Sequence, residues 1–297
     1  MNSREEGFLL LGSSLGNPDR VPLTAAQLRV LSQRTFAGEC ADPEREMTSA
    51  DLAELGYGGE LAERILHLLE DTELLHRYLR RGKQAECVPL TRVSEGYPLR
   101  MRRRLGADSP GVLWAKGDIS LLAMPSVALV GSRDIHPGNR EFAAAVGCQA
   151  AKQGFALISG NARGADRAAQ SECLAAGGRV ISVVADELQA HPRREGVLYL
   201  SEGDFDQPFS APRALSRNRV IHALGNITLV AQCGLEMGGT WSGTAQNLRS
   251  GWSDVFCFQD GSAASLRLEE MGATLIGRAE LGNLAALQDR ISTFFDQ

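Results

Sequence analysis

Between residues 126 and 258 the chain alternates short continuous apolar runs with helical stretches, and this limits its possible folds more than any other feature. Ser126–Val130 is wholly apolar after its first residue. A helical stretch follows over 139–153, stopped by Gly154, and then a second apolar run over 155–159. The pattern continues with a helix over 166–176, strands over 179–184 and 197–200, a helix over 213–224, a strand over 227–231, a helix over 244–249 and a strand over Asp254–Phe258. Continuous apolar strands are covered on both faces, and strands alternating with helices give a parallel sheet between helical layers. The expectation is an α/β fold with a doubly wound, mostly parallel, Rossmann-like sheet. Ligands of such sheets lie beyond the carboxyl ends of the strands, so the residues just after each strand carry the functional information.

Ahead of this region the chain reads as short helices. Apolar residues fall at helical spacing over 24–36. Thr48 is placed to cap a helix, and 61–69 and 74–79 form an amphipathic pair with Gly82 as a stop. The expected organisation is a small all-helical domain over 1–95, a Rossmann-like domain over 96–278 and a C-terminal helix over 279–297.

Charge excludes a global basic coat: 31 basic residues face 36 acidic ones, for a net charge of −5. A local cationic pocket remains compatible with that balance. Of the basic residues only Lys83, Lys116 and Lys152 are lysines. Arginine suits bidentate phosphate recognition, although genomic base composition produces the same bias. No apolar run reaches the ~18 residues of a membrane helix. The first residues put acids before a short apolar patch, unlike a secretory leader, so a cytoplasmic protein without membrane contact is expected. Cys40, Cys87, Cys148, Cys173, Cys233 and Cys257 show no C-x-x-C spacing. Reduced, structural thiols and no metal site are therefore expected.

The strand ends are rich in groups that suit phosphate. The first delivers Gly131-Ser132-Arg133, where a close-approaching backbone, a hydroxyl and a planar cation precede a helix. The spacing is not that of a dinucleotide fingerprint, and no cofactor is expected. The second delivers Ser159-Gly160-Asn161-Ala162-Arg163-Gly164-Ala165-Asp166, with Asp166 able to cap the helix it opens. The lone acids Asp186 and Glu202 read as caps or solvated turns rather than catalysts. Arg213, Arg217, Asn218 and Arg219 gather at the start of a helix. A turn over 237–244 supplies Gly238, Gly239, Thr240, Ser242 and Thr244. The backbone amides of that turn could cradle a phosphate. No nucleophile, base and orienting group occur together, so no catalytic residue is assigned.

In order along the chain, these motifs resemble the DNA-processing family DprA/Smf. The resemblance rests on the Gly-Ser-Arg turn, the Ser-Gly-x-Ala-x-Gly-x-Asp turn, Ser201-Glu202, Arg217-Asn218-Arg219-x-Ile221 and the Gly/Ser/Thr-rich turn. The lead-in Tyr97-Pro98-Leu99 and Leu113-Trp114-Ala115-Lys116-Gly117-Asp118 and the late Gly272-Ala273 extend it to about residues 97–276. What the resemblance implies is a non-enzymatic protein that binds single-stranded DNA, acts as a homodimer and helps load the recombinase RecA in DNA uptake. Arg133 and the Arg217-Asn218-Arg219 segment would contact phosphates. Three positions depart from the pattern: Ala214 stands where the family has an aromatic, Gln170 where it has His, and Gln232 where it has an acid. The winged-helix domain of many members has no counterpart before Gln297. Two other readings use the same phosphate pocket. One is a sensor of a nucleotide signal. The other is a nucleotide phosphoribohydrolase, whose Gly-Gly-x-Gly-Thr-x-x-Glu motif resembles the 238–247 stretch but ends here on Asn247 instead of Glu.

Overall fold

The computed structural model describes residues 1–37 and 46–287. The N-terminal part contains five helices: α1 (Ser3–Gly12), α2 (Ala25–Ala37), α3 (Ser49–Glu54), α4 (Gly59–Glu70) and α5 (Thr72–Gln84). Two of them open with reciprocal caps, Asn2 with Glu5 and Thr48 with Asp51. These caps satisfy helix-end amides that would otherwise lack partners. Gly82 does not stop α5 as expected. It lies inside the helix, where a side chain would sit 3.0 Å from the Trp114 ring and 3.1 Å from the Cys87 carbonyl.

The remaining elements are β1 (Val88–Thr91), α6 (Leu99–Leu105), β2 (Val112–Lys116), β3 (Ser126–Val130), α7 (Pro137–Lys152), β4 (Ala156–Ser159), α8 (Ala165–Ala175), β5 (Arg179–Val183), β6 (Val197–Ser201), α9 (Ala211–Leu224), β7 (Ile227–Val230), α10 (Gly238–Ser250), β8 (Asp254–Phe258), α11 (Ala263–Glu270) and β9 (Thr274–Ile276). The strands form one nine-stranded sheet in the order β1-β2-β6-β5-β4-β3-β7-β8-β9. From β6 to β9 every pairing is parallel; β2 alone runs the other way, pairing antiparallel with both β1 and β6. The chain winds from β3 outward to β6 and then returns to the other side of β3 to place β7. The switch point therefore lies between β3 and β7, with Gly131 and Ala231 just beyond it.

Alternation along β3 divides the core. Val127 and Leu129 face a layer that includes Phe142 and Val146 of α7 and Ala169 of α8. Ala128 and Val130 face Val220, Ile221 and Leu224 of α9, Trp241 of α10 and Leu268 of α11. The N-terminal helices join the first layer, so residues 1–95 share a core with the sheet and contribute β1 to it. Tyr78, Trp114 and Phe205 make that joint, with ring centroids 4.6–5.5 Å apart. Five cysteines, at 87, 148, 173, 233 and 257, are free thiols, and Cys40 lies outside the described residues. Burial pushes the Cys87 and Cys173 thiols up to about 11 and the Cys233 thiol to about 12. The expected C-terminal helix over 279–297 lies, from residue 288 on, outside the described residues; Ala279–Gly282 is a 3-10 turn. No helix among the described residues is long and apolar enough to cross a membrane.

Candidate anion-binding edge

The chain turns twice at the centre of the sheet, after β3 and after β4, and the two turns pack against each other through glycine. Gly164 has φ +84°, and a side chain there would fall 2.4 Å from the carbonyl oxygens of both Ser132 and Arg133. Glycine is the residue that combines this conformation with so close an approach. The amide of Ala165 then donates to the Ser132 carbonyl at 3.2 Å. The Gly-Ser-Arg turn and the N-terminus of α8 are thereby fixed as one unit.

Beside them lies an open cleft of about 520 Å³, lined by Arg133, Asp134, Ile135, His136, Arg140, Arg163 and Gly164. It lies between the first turns of α7 and α8, whose dipoles favour an anion. Arg133, Arg140 and Arg163 are exposed. The carboxylate in the lining, Asp134, meets Arg163 at 2.9 Å in a pair that is 68% and 88% exposed, too solvated to neutralise the cleft. Gln232 holds the loop from below. Its carbonyl accepts from the Ser132 amide at 2.9 Å and its Oε1 from the His136 amide at 2.8 Å, while its Nε2 donates to the Asp134 carbonyl at 3.3 Å. A neutral amide thus anchors the loop without adding negative charge.

The other arginines of the motif set are held differently. Arg217 is buried beneath the second turn and donates to the carbonyls of Gly160 and Val183. A side chain on Gly160 would fall 2.2 Å from that guanidinium, so glycine at 160 makes room for Arg217. Asp166 closes the turn from the opposite side: its Oδ2 accepts from the amides of Gly160 at 3.0 Å and Ala162 at 3.1 Å. Burial raises the Asp166 carboxyl above its ordinary value, and the charge of Arg217 acts against that rise. The expectation that Arg217 meets a phosphate directly is corrected: it braces the turn that presents Arg163. Asp166 likewise holds the turn ahead of α8, whose N-cap is Gly164 without a side-chain cap bond.

Arg219 pairs with Glu202 at 2.5 Å and also donates to the Asp108 carbonyl. Burial lifts the Glu202 carboxyl above the ordinary carboxylate range and Arg219 pulls it back. The sequence placed Arg133, Arg217 and Arg219 on one rim. Of the three, Arg133 alone lines the cleft, because α9 turns Arg217 into the sheet end and Arg219 toward Glu202.

The glycine-rich segment is also different from the expected turn: Gly238, Gly239, Thr240, Ser242 and Thr244 lie in the first two turns of α10. Asn218 donates to the Gly239 carbonyl at 2.9 Å, tying α9 to α10. Thr244 is buried, and Ser159 is buried with its hydroxyl accepting from Gln170 at 2.7 Å. Gly131 fits only because a side chain there would fall 2.4 Å from the Ala165 methyl group. Asn247, the counterpart of the hydrolase carboxylate, is buried and takes the Ser253 amide at 2.9 Å. Sequence reasoning passed over His136 and Arg140. The signal was Pro137, which favours the first position of a helix and sets Arg140 in the opening turn of α7.

Comparison with known proteins follows the same residues. The sequence profile of the DNA recombination-mediator protein A family matches residues 89–280. DNA processing protein DprA of Bacillus subtilis is 26% identical over 264 residues, covering 81% of this chain and 85% of that protein. Protein Smf of Escherichia coli is 32% identical over 157 residues, which is 49% of this chain but only 41% of Smf. Among solved structures, DNA processing protein A of Streptococcus pneumoniae superposes with a TM-score of 0.73 at 23% identity, covering 95% and 96% of the two chains. DNA processing protein A of Helicobacter pylori, solved to describe its single-stranded DNA binding mode, superposes with a TM-score of 0.55 at 21% identity over 70% of this chain and 97% of that one. With a Rossmann-like sheet, the family's ordered turns at its strand ends and a profile match over most of its length, the chain belongs to the DNA recombination-mediator protein A family.

Proposed function

We propose that this protein binds single-stranded DNA along its backbone, without catalysis, through the cleft between the first turns of α7 and α8. The observation that carries this reading is the cleft itself: Arg133, Arg140 and Arg163 line it against one solvated carboxylate. Guanidinium groups at helix N-termini hold phosphates irrespective of base, and an open groove leaves the bases free. The N-terminus of α10, with Gly238, Gly239 and Thr240, follows the strand next to β3 and offers further amides at the same edge. Arg217, Asn218, Gly160 and Asp166 keep these donors in place. Family membership supports the wider role, in which a cytoplasmic pair of chains covers the strand and passes it to the recombinase RecA.

Fluorescence anisotropy with labelled single- and double-stranded oligonucleotides at two salt concentrations tests the reading. Single strands should bind more tightly, with log K falling by roughly 0.7 per phosphate contacted for each decade of salt. Unchanged affinity in Arg133→Ala/Arg140→Ala, or displacement of the strand by a mononucleotide at equal concentration, would overturn it.

A further inference from the structure

A second cationic cleft lies at the far end of the same sheet edge. It measures about 370 Å³, and its lining includes Phe8 of α1, Arg29 and Phe36 of α2, Arg92 after β1, Arg102 of α6 and Ala107. Pairing shows where it stands. β1 runs antiparallel to β2 and β2 antiparallel to β6, with Thr91 level with Val112 and Trp114 level with Ser201. Arg92 therefore emerges beyond the carboxyl end of β6, on the edge that carries Arg133. From β3 to β1 there are five strand spacings, about 24 Å at ~4.8 Å each. A stacked strand rising 3.4 Å per nucleotide crosses that gap in about seven nucleotides.

Two of the three arginines in this cleft are held by backbone carbonyls. Arg92 donates to the carbonyls of Ala107 and Gly106 at 3.2 and 3.1 Å, and Arg102 to the carbonyl of Arg92 at 3.2 Å. Carbonyls fix a guanidinium but leave its full charge to attract an anion. Arg29, by contrast, pairs with the Asp108 carboxylate at 2.6 Å. Phe36 is 55% exposed beside these arginines, an amphipathic setting that suits a nucleobase better than water. Asp108 also ties this cleft to the end of β6, since its carbonyl accepts from Arg219 and Arg219 pairs with Glu202.

We infer that this cleft is a second station for the same single strand, taking phosphates on Arg92 and Arg102 and stacking a base on Phe36. The inference rests on the proposed binding of single-stranded DNA at the first cleft, and it predicts a dependence on strand length. The test is anisotropy with labelled dT6 and dT20 on the full chain, comparing wild type with Arg102→Glu and Phe36→Ala, two exposed positions whose replacement leaves the core intact. Each variant should weaken dT20 about ten-fold and leave dT6 within two-fold. Arg102→Glu should also flatten the salt dependence of dT20 by roughly 0.7, the value of one phosphate contact. Equal losses on both oligonucleotides, or none on either, would overturn the second station. If wild type binds neither oligonucleotide, the proposed function itself has failed.

Discussion

Arg133, just after β3, and Arg217, in the helix that follows β6, both belong to motifs expected to hold phosphate, yet the fold treats them as opposites. Arg133 stands exposed on the rim of an open cleft. Arg217 is buried, its Nη1 donates to two backbone carbonyls, and its charge acts against the burial-driven rise of the Asp166 carboxyl. Two features of the surroundings separate them. Arg133 is on a loop that leads away from the sheet, whereas Arg217 lies on the face of α9 that packs against the sheet ends. A motif arginine can therefore serve an anion site by touching the anion or by building the turn that presents another arginine. Burial distinguishes the two roles.

The largest expected effect tests the buried member. Orphaning a buried carbonyl costs about 1–3 kcal/mol, and Arg217→Ala orphans those of Gly160 and Val183, so it should lower stability by about 2–6 kcal/mol in urea titration, with binding lost as a consequence. Arg133→Ala should stay within about 0.5 kcal/mol of wild type in the same titration and lose affinity alone. Equal stability in the two variants would break the comparison. Gly160→Ala, which pushes a methyl group into the Arg217 guanidinium, should cost about 1–3 kcal/mol by overpacking, read in the same way.

His222 sharpens the contrast further along the buried face of α9. Burial pulls its pKa from 6.5 to about 3, so it stays neutral in the fold while the unfolded chain takes up a proton below pH 6.5. Its contribution is thus intact above pH 6.5 and is lost as pH falls toward 3, by up to a factor of ten in the folding constant per pH unit. Urea titrations at pH 7 and pH 4 should show a smaller loss in His222→Asn than in wild type. The smallest effect belongs to the exposed side. Asp134→Asn should change stability by about 0–1 kcal/mol while tightening single-strand binding, because it removes the solvated acid from the cleft. Weaker binding in that variant would argue that Asp134 orients Arg163 rather than competing with the strand.

Much of the sheet was legible because its central strands are buried on both faces and therefore read as unbroken apolar runs. Asp254–Phe258 carries the same bounds in sequence and structure, and β3, β4 and β7 differ by a residue at most. The edges were not legible. β1 contains Pro89, and β9 is three residues long, so neither displays a strand pattern of its own. α1 was missed because its apolar residues run together as Phe8-Leu9-Leu10-Leu11, without helical spacing. α10 was foreseen only from Thr244, since its first turn is built of glycines that ordinarily end helices. At the candidate site, the motifs pointed to the strand ends, and of the motif arginines Arg133 and Arg163 line the cleft. They gave no means of separating Arg217 from it, and the second cleft is assembled from four segments that share no local pattern.

What the sequence determined by itself was the alternating order of strands and helices, and with it the edge of the sheet where glycines, hydroxyls and arginines collect, because periodicity and turn chemistry are local properties of the chain. Which arginines face solvent and which lie beneath the turn was decided only in three dimensions. The direction of a long side chain depends on how its helix packs, and a guanidinium is drawn to whichever unpaired carbonyls or carboxylates that packing brings within reach.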